Sequence, residues 1–98
     1  MSSPSPSDVT LADGRYELDV DGETAVAVFQ RESGDDGDTL VFVHTEVPRD
    51  ERGQGVASTL IEGALADVRD KGETIVPLCP YVAAYVRRHP DVQDLVAS

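Results

Sequence analysis

The apolar period of this chain changes once, and that change dictates most of what it can fold into. Through TLVFVHTEV (39–47) the residues read as a strand, whereas from Gln54 onward Val56, Leu60, Ile61, Ala64, Leu65 and Val68 recur at helical spacing. Lys71 and Gly72 form a fitting helix end: a cation near the negative pole of the dipole, then the residue that accepts a left-handed cap. ETIVPLC (73–79) follows as a short apolar strand, with Pro77 placing it at an edge or a bulge. Strand, helix and strand in this order make a crossover, so the two strands run parallel and the helix packs on the sheet.

The segment before the crossover reads as a meander. RYELDV (15–20) alternates, Asp21-Gly22 is a hairpin turn that needs positive φ, and ETAVAVFQRE (23–32) returns. SGDDGD (33–38) has the composition of a solvated loop. In TLVFVHTEV, strict alternation divides the strand into Leu40, Phe42, His44, Glu46 and Val41, Val43, Thr45, Val47. Both sets begin apolar, so this strand is expected to be central and covered on both sides. After Cys79, Pro80 opens a second helix, YVAAYVRRH (81–89), which stops before Pro90, and DVQDLVAS adds a last helical turn. The predicted order is β-β-β-α-β-α. It is an α/β (α+β) chain: an antiparallel meander, a β-α-β crossover and a C-terminal helix. Residues 13–98 are expected to form one domain behind a flexible Ser/Pro tail over 1–12.

Charge narrows the partners. The formal net charge is −11, the pI is about 4.3, and Lys71 is the only lysine. So acidic a chain is a poor ligand for nucleic acid or an anionic membrane. Its acidic, lysine-poor surface resembles that of cytosolic proteins from extreme halophiles, where salt screens self-repulsion. No apolar run approaches the ~20 residues that span a bilayer, and MSSPSPSD is not a signal peptide. A lone cysteine, Cys79, excludes an intrachain disulfide, and a reducing cytoplasm is the expected compartment. Cys79, His44 and His89 do not stand at metal-ligand spacing, so no metal is expected.

The turn between the third strand and the first helix, VPRDERGQGVAS (47–58), is where chemistry is expected. Amides in the first turn of a helix have no intrahelical partner, and the macrodipole adds positive charge there. Gly53 and Gly55 remove side chains that would hold a ligand off those amides, while Arg49 and Arg52 add formal charge. These features fit a phosphate or pyrophosphate. The spacing is neither that of a Walker A loop nor that of a dinucleotide fingerprint.

Arg52-Gly53-Gln54-Gly55-Val56-Ala57 resembles the acetyl-CoA signature of the GNAT acetyltransferases, Gln/Arg-x-x-Gly-x-Gly/Ala. With HTEVP upstream and PLCPYVAAYVRRHP downstream, the chain from about Tyr16 onward resembles the minimal GNAT-like members of roughly 100 residues, which lack the superfamily's first strand-to-helices section. The resemblance implies a truncated GNAT-like fold and acetyl-CoA as co-substrate. It implies that the cofactor-binding residues are Arg52, Gly53, Gln54, Gly55, Val56, Ala57 and Ser58, with amides from Gly53 to Ser58 cradling the pyrophosphate. Main-chain groups of Glu46 and Val47 would hold the pantetheine arm as an added strand, and the two parallel strands would splay to admit the thioester.

Acetyl transfer needs a base for the amine, stabilisation of the thioester oxygen and a proton for the leaving thiolate. His44 and Glu46, two residues apart on one strand face, are candidate bases, directly or through water. Cys79 is a candidate for lining the thioester slot or, less simply, for accepting the acetyl group as a nucleophile. Tyr85 stands where larger relatives carry the acid for the CoA thiolate, although His89-Pro90 replaces their Gly-Phe. Arg87, Arg88 and His89 read as a cationic last helical turn. The expected acceptor is a small-molecule or protein amine, and the expected state a monomer or homodimer. A non-catalytic acyl-CoA-binding module is the competing function, and a phosphate-ligand protein unrelated to CoA a weaker one.

Overall fold

The computed structural model describes residues 4–35, 37–49 and 55–97. Within them, the strands are β1 (Thr10–Ala12), β2 (Arg15–Val20), β3 (Glu23–Gly34), β4 (Gly37–Glu46) and β5 (Thr74–Pro77). The helices are α1 (Val56–Asp70) and α2 (Pro80–Arg88), and short 3-10 turns cover Pro6–Asp8 and Pro90–Leu95. The sheet order is β1-β2-β3-β4-β5, antiparallel up to β4 and parallel between β4 and β5. The α+β architecture of meander, crossover and C-terminal helix is therefore as expected, with one more strand at the start.

Local chemistry explains most boundaries. Asp21 (φ 52°) and Gly22 (φ 83°) make the two-residue turn between β2 and β3. Helix α1 ends in a paired cap: the Gly72 amide donates to Arg69 O at 3.1 Å and the Glu73 amide to Val68 O at 3.0 Å. Gly72, at φ 69°, occupies the left-handed position that arrangement needs. Pro80 begins α2.

Three expectations need correction. SGDDGD is not a loop throughout: β3 and β4 stay paired up to Gly34↔Gly37, a tight hairpin that its glycines permit. The segment assigned to a tail carries structure from Pro6 onward. Thr10–Ala12 pair with β2, and the turn before them rests on α1 at Gly63, where an added Cβ would lie 2.5 Å from Pro6 O. Finally, β4 is neither central nor covered on both sides. It is fourth of five strands, and both helices join a single core on one face.

That core centres on Tyr16, Phe29 and Phe42, with ring centroids 5.5 to 6.3 Å apart. Leu40, Leu60, Leu65, Val68, Ile75 and Val82 are fully buried around them. Burial of this kind contributes on the order of 1.5–3 kcal/mol per large apolar side chain. At the far edge, Val96 bridges Ile75, and the Ala97 amide donates to Ile75 O at 2.8 Å, so the chain's own C-terminal segment covers part of β5.

Candidate active site

The site begins with a fault in β4. Val28 pairs with His44 and Phe29 with Phe42, leaving Val43 as an extra residue in a β-bulge. The bulge reverses the phase of the strand. Leu40 and Phe42 are buried before it and Thr45 and Val47 after it, whereas Val43, His44 and Glu46 are exposed. The strict alternation that joined His44 and Glu46 to Leu40 and Phe42 does not hold.

The two parallel strands part at the same place. Their last paired residues are Phe42 and Pro77, and Pro77 has no amide hydrogen to extend the ladder. The Leu78 amide turns back to Val76 O at 3.1 Å, the Cys79 amide donates to Phe42 O at 2.8 Å, and the chain then enters α2. Val43–Glu46 therefore run on with no β5 partner. A bulge on one strand and a proline on the other thus produce the parting of β4 and β5.

On the helix-covered side of this opening lies Cys79. Its thiol is 1% exposed, and its Sγ is 3.1 Å from the Thr45 hydroxyl, itself buried. On the other side, His44 and Glu46 are both well exposed, with Nε2 and Oε1 3.7 Å apart. The structure thus separates the candidates by the thickness of the sheet: His44 and Glu46 on one face, Cys79 and Tyr85 on the other.

Below the opening stands the start of α1. Gly55 is its N-cap at φ 77°, no side chain among the described residues caps it, and the first turn holds no acidic residue. A Cβ at Gly55 would meet nothing within 4 Å. Among the described residues, the Thr59 amide is the first to bond back, to Gly55 O at 3.0 Å, so the amides of Val56, Ala57 and Ser58 stand in the first turn of the helix. Arg52, Gly53 and Gln54 lie outside the described residues.

Next to this helix start is a cleft of about 350 Å³ between α1 and α2. Ala57, Ser58 and Ile61 form one wall, and Tyr81, Tyr85, Arg88 and His89 the other. The Tyr85 ring stacks on the His89 imidazole at 3.8 Å and 14°, and His89 Nδ1 lies 2.8 Å from Tyr85 O. Burial raises the Tyr85 phenol above its ordinary pKa, and the carboxylates of Glu62 and Asp91 add to the shift, so it keeps its proton. The pair Arg88 and His89, read from the sequence as a cationic last turn, also lines this cleft.

Thr45 is the residue that spacing did not single out. Strict alternation placed it with Val41 and Val43, and only the bulge turns it toward Cys79. Tyr81, 48% exposed on the cleft wall, was likewise missed, because its position in the first turn of α2 carries no special spacing.

Taken together, a parallel pair of strands that parts over a non-acidic helix start, beside a cleft with a cationic rim, suits a thioester carried on a phosphorylated arm. The model of the GCN5-related N-acetyl-transferase family matches residues 15–95 of the 98, and this chain belongs to that family.

Proposed function

We propose that the protein is an acetyl-CoA-dependent N-acetyltransferase, working in a cytoplasm of high salt. The observation that carries this reading is the coincidence of the β4–β5 parting with the open start of α1. A pyrophosphate at the amides of Gly55 to Ser58 would receive both the dipole and the main-chain donors of a first helical turn. From there the pantetheine arm reaches the parting along Glu46, whose main chain offers it strand-like pairing. Arg52, Gly53 and Gln54 complete the anion site in this reading. The adenosine side of the ligand faces the cleft, where Arg88 supplies the cation and Tyr81 an aromatic surface.

In the transfer step the acceptor amine loses a proton to Glu46 or His44, directly or through water. Its nitrogen then forms a bond to the thioester carbonyl carbon, and the C–S bond breaks. Tyr85, protonated at neutral pH, gives its proton to the departing thiolate. Cys79 lines the slot with its thiol turned to Thr45. A covalent acetyl-cysteine is not needed for the atoms to balance.

The test is a melting curve with and without acetyl-CoA in high salt, for the wild type and Ser58→Glu. Ser58 is exposed on the cleft wall, so the substitution adds an anion without disturbing the positive φ at Gly55. Ligand at about 100 times its dissociation constant adds about 2.7 kcal/mol, or roughly 10 °C for a domain this small. The expected result is a shift in the wild type that Ser58→Glu loses. CoA release on supplying an amine separates an enzyme from a non-catalytic acyl-CoA-binding module, which would show the shift alone.

A further inference from the structure

Among the described residues, the helices cover one face of the sheet and leave the other bare. On the bare face the register brings together Val26 and Val28 of β3, Val41 and Val43 of β4, and Val76 of β5. Val43 is 37% exposed and the other four are only partly buried. With strands about 4.8 Å apart, these side chains form an apolar strip running across three strands. It ends beside His44 and Glu46, because Val28 pairs with His44 and Val26 with Glu46.

Carboxylates surround the strip. Glu17 and Asp19 of β2, Glu32 of β3 and Glu46 of β4 share this face. The one arginine among them, Arg15, is already held by Glu17, Nε to Oε2 at 2.6 Å. The cation Arg88 instead lines the cleft on the opposite side. Two copies stacked through this face would set like charges against each other.

We propose that this bare face is the acceptor surface, and that the acceptor is a basic polypeptide segment lying extended over the valine strip. One of its lysines would reach the β4–β5 parting past His44 and Glu46. This rests on the acetyl-transfer reading for the chemistry, but not for the docking. In the step, the lysine ammonium gives a proton to Glu46 or His44, its nitrogen bonds the acetyl carbon, and the thiolate leaves and is protonated. The products are acetyl-lysine and CoA.

The probes are a peptide of alternating lysine and valine, a matched peptide of alternating glutamate and valine with one central lysine, and spermidine. CoA release is followed with saturating acetyl-CoA. Peptide binding is followed separately by fluorescence anisotropy without coenzyme. The basic peptide should exceed the other two in kcat/KM by about tenfold or more, an advantage that shrinks with salt. In Glu17→Lys/Glu32→Lys it should lose about tenfold through KM, with kcat and the acetyl-CoA melting shift unchanged. Binding that is lost in the double variant while no CoA is released would keep the docking surface and overturn the transfer reading alone. Equal use of the acidic peptide or spermidine would overturn the proposal, as would an unchanged KM in the double variant. A dimer that Val43→Glu dissociates would overturn it in favour of a second copy.

Discussion

Thr45 and Cys79 show how much the site depends on single atoms. A thiol that is 1% exposed and hydrogen-bonded to a buried hydroxyl is placed to shape a slot rather than to attack. Cys79→Ala should therefore keep acetyl transfer within about tenfold of wild type, with a stability cost of about 1 kcal/mol. No acetyl-enzyme should appear by mass spectrometry after acetyl-CoA is mixed with the wild type. Tyr85→Phe should behave differently. It leaves the cleft wall and the His89 stacking surface in place while removing the proton donor, so kcat should fall with little change in acetyl-CoA affinity. A loss of affinity equal to the loss of kcat would reduce Tyr85 to a packing residue.

At the scale of elements, the junction of the N-terminal segment with α1 leaves no room for a side chain at Gly63. Gly63 is buried, and a Cβ there would lie 2.5 Å from both Pro6 O and Val9 Cγ2. Gly63→Ala should destabilise by roughly 1–3 kcal/mol through overpacking, despite alanine's better helix propensity. Urea denaturation measures it. Nothing in the sequence spacing announced this contact, since a glycine in a helical pattern does not say what approaches it. The elements that were legible, β2, β3, α1, β5 and α2, carry local signals: Asp21-Gly22, the helical spacing from Val56, Lys71-Gly72 and Pro80. The bulge at Val43 had none. It follows from fitting β4 against β3 while the strand leaves β5, and it exchanges the faces that strict alternation gives Thr45 and His44. The left-handed glycine that opens α1, Gly55, was legible for the same reason as the helix itself. The valine strip was not, because only the three-dimensional register gathers valines from β3, β4 and β5.

For the whole molecule, charge sets the conditions of stability. At −11, self-repulsion weakens the fold unless salt screens it. The Debye length falls from about 10 Å at 0.1 M to about 3 Å at 1 M, so the melting temperature should rise across that range. Acid acts through specific carboxylates. Burial works against ionisation of Asp67, but hydrogen bonds from Lys71 and Tyr16 outweigh it and hold its carboxyl below the usual range. A depressed carboxyl stabilises the fold above its unfolded pKa and loses that contribution as pH falls through the folded value. Asp67→Asn should therefore lower stability at neutral pH and flatten its decline on acidification, as pH-dependent urea titrations would show.

The central claim is that acetyl-CoA enters where β4 parts from β5 above the start of α1. Amide chemical-shift mapping on titration with acetyl-CoA tests it most directly. The account predicts the largest changes at Val56, Ala57 and Ser58, along Val43–Val47, and at Tyr85 to His89, with β1 and β2 nearly still. Changes confined instead to the shallow cleft of Leu11, Gly14, Phe29 and Arg31 would contradict it, as would none at saturating ligand.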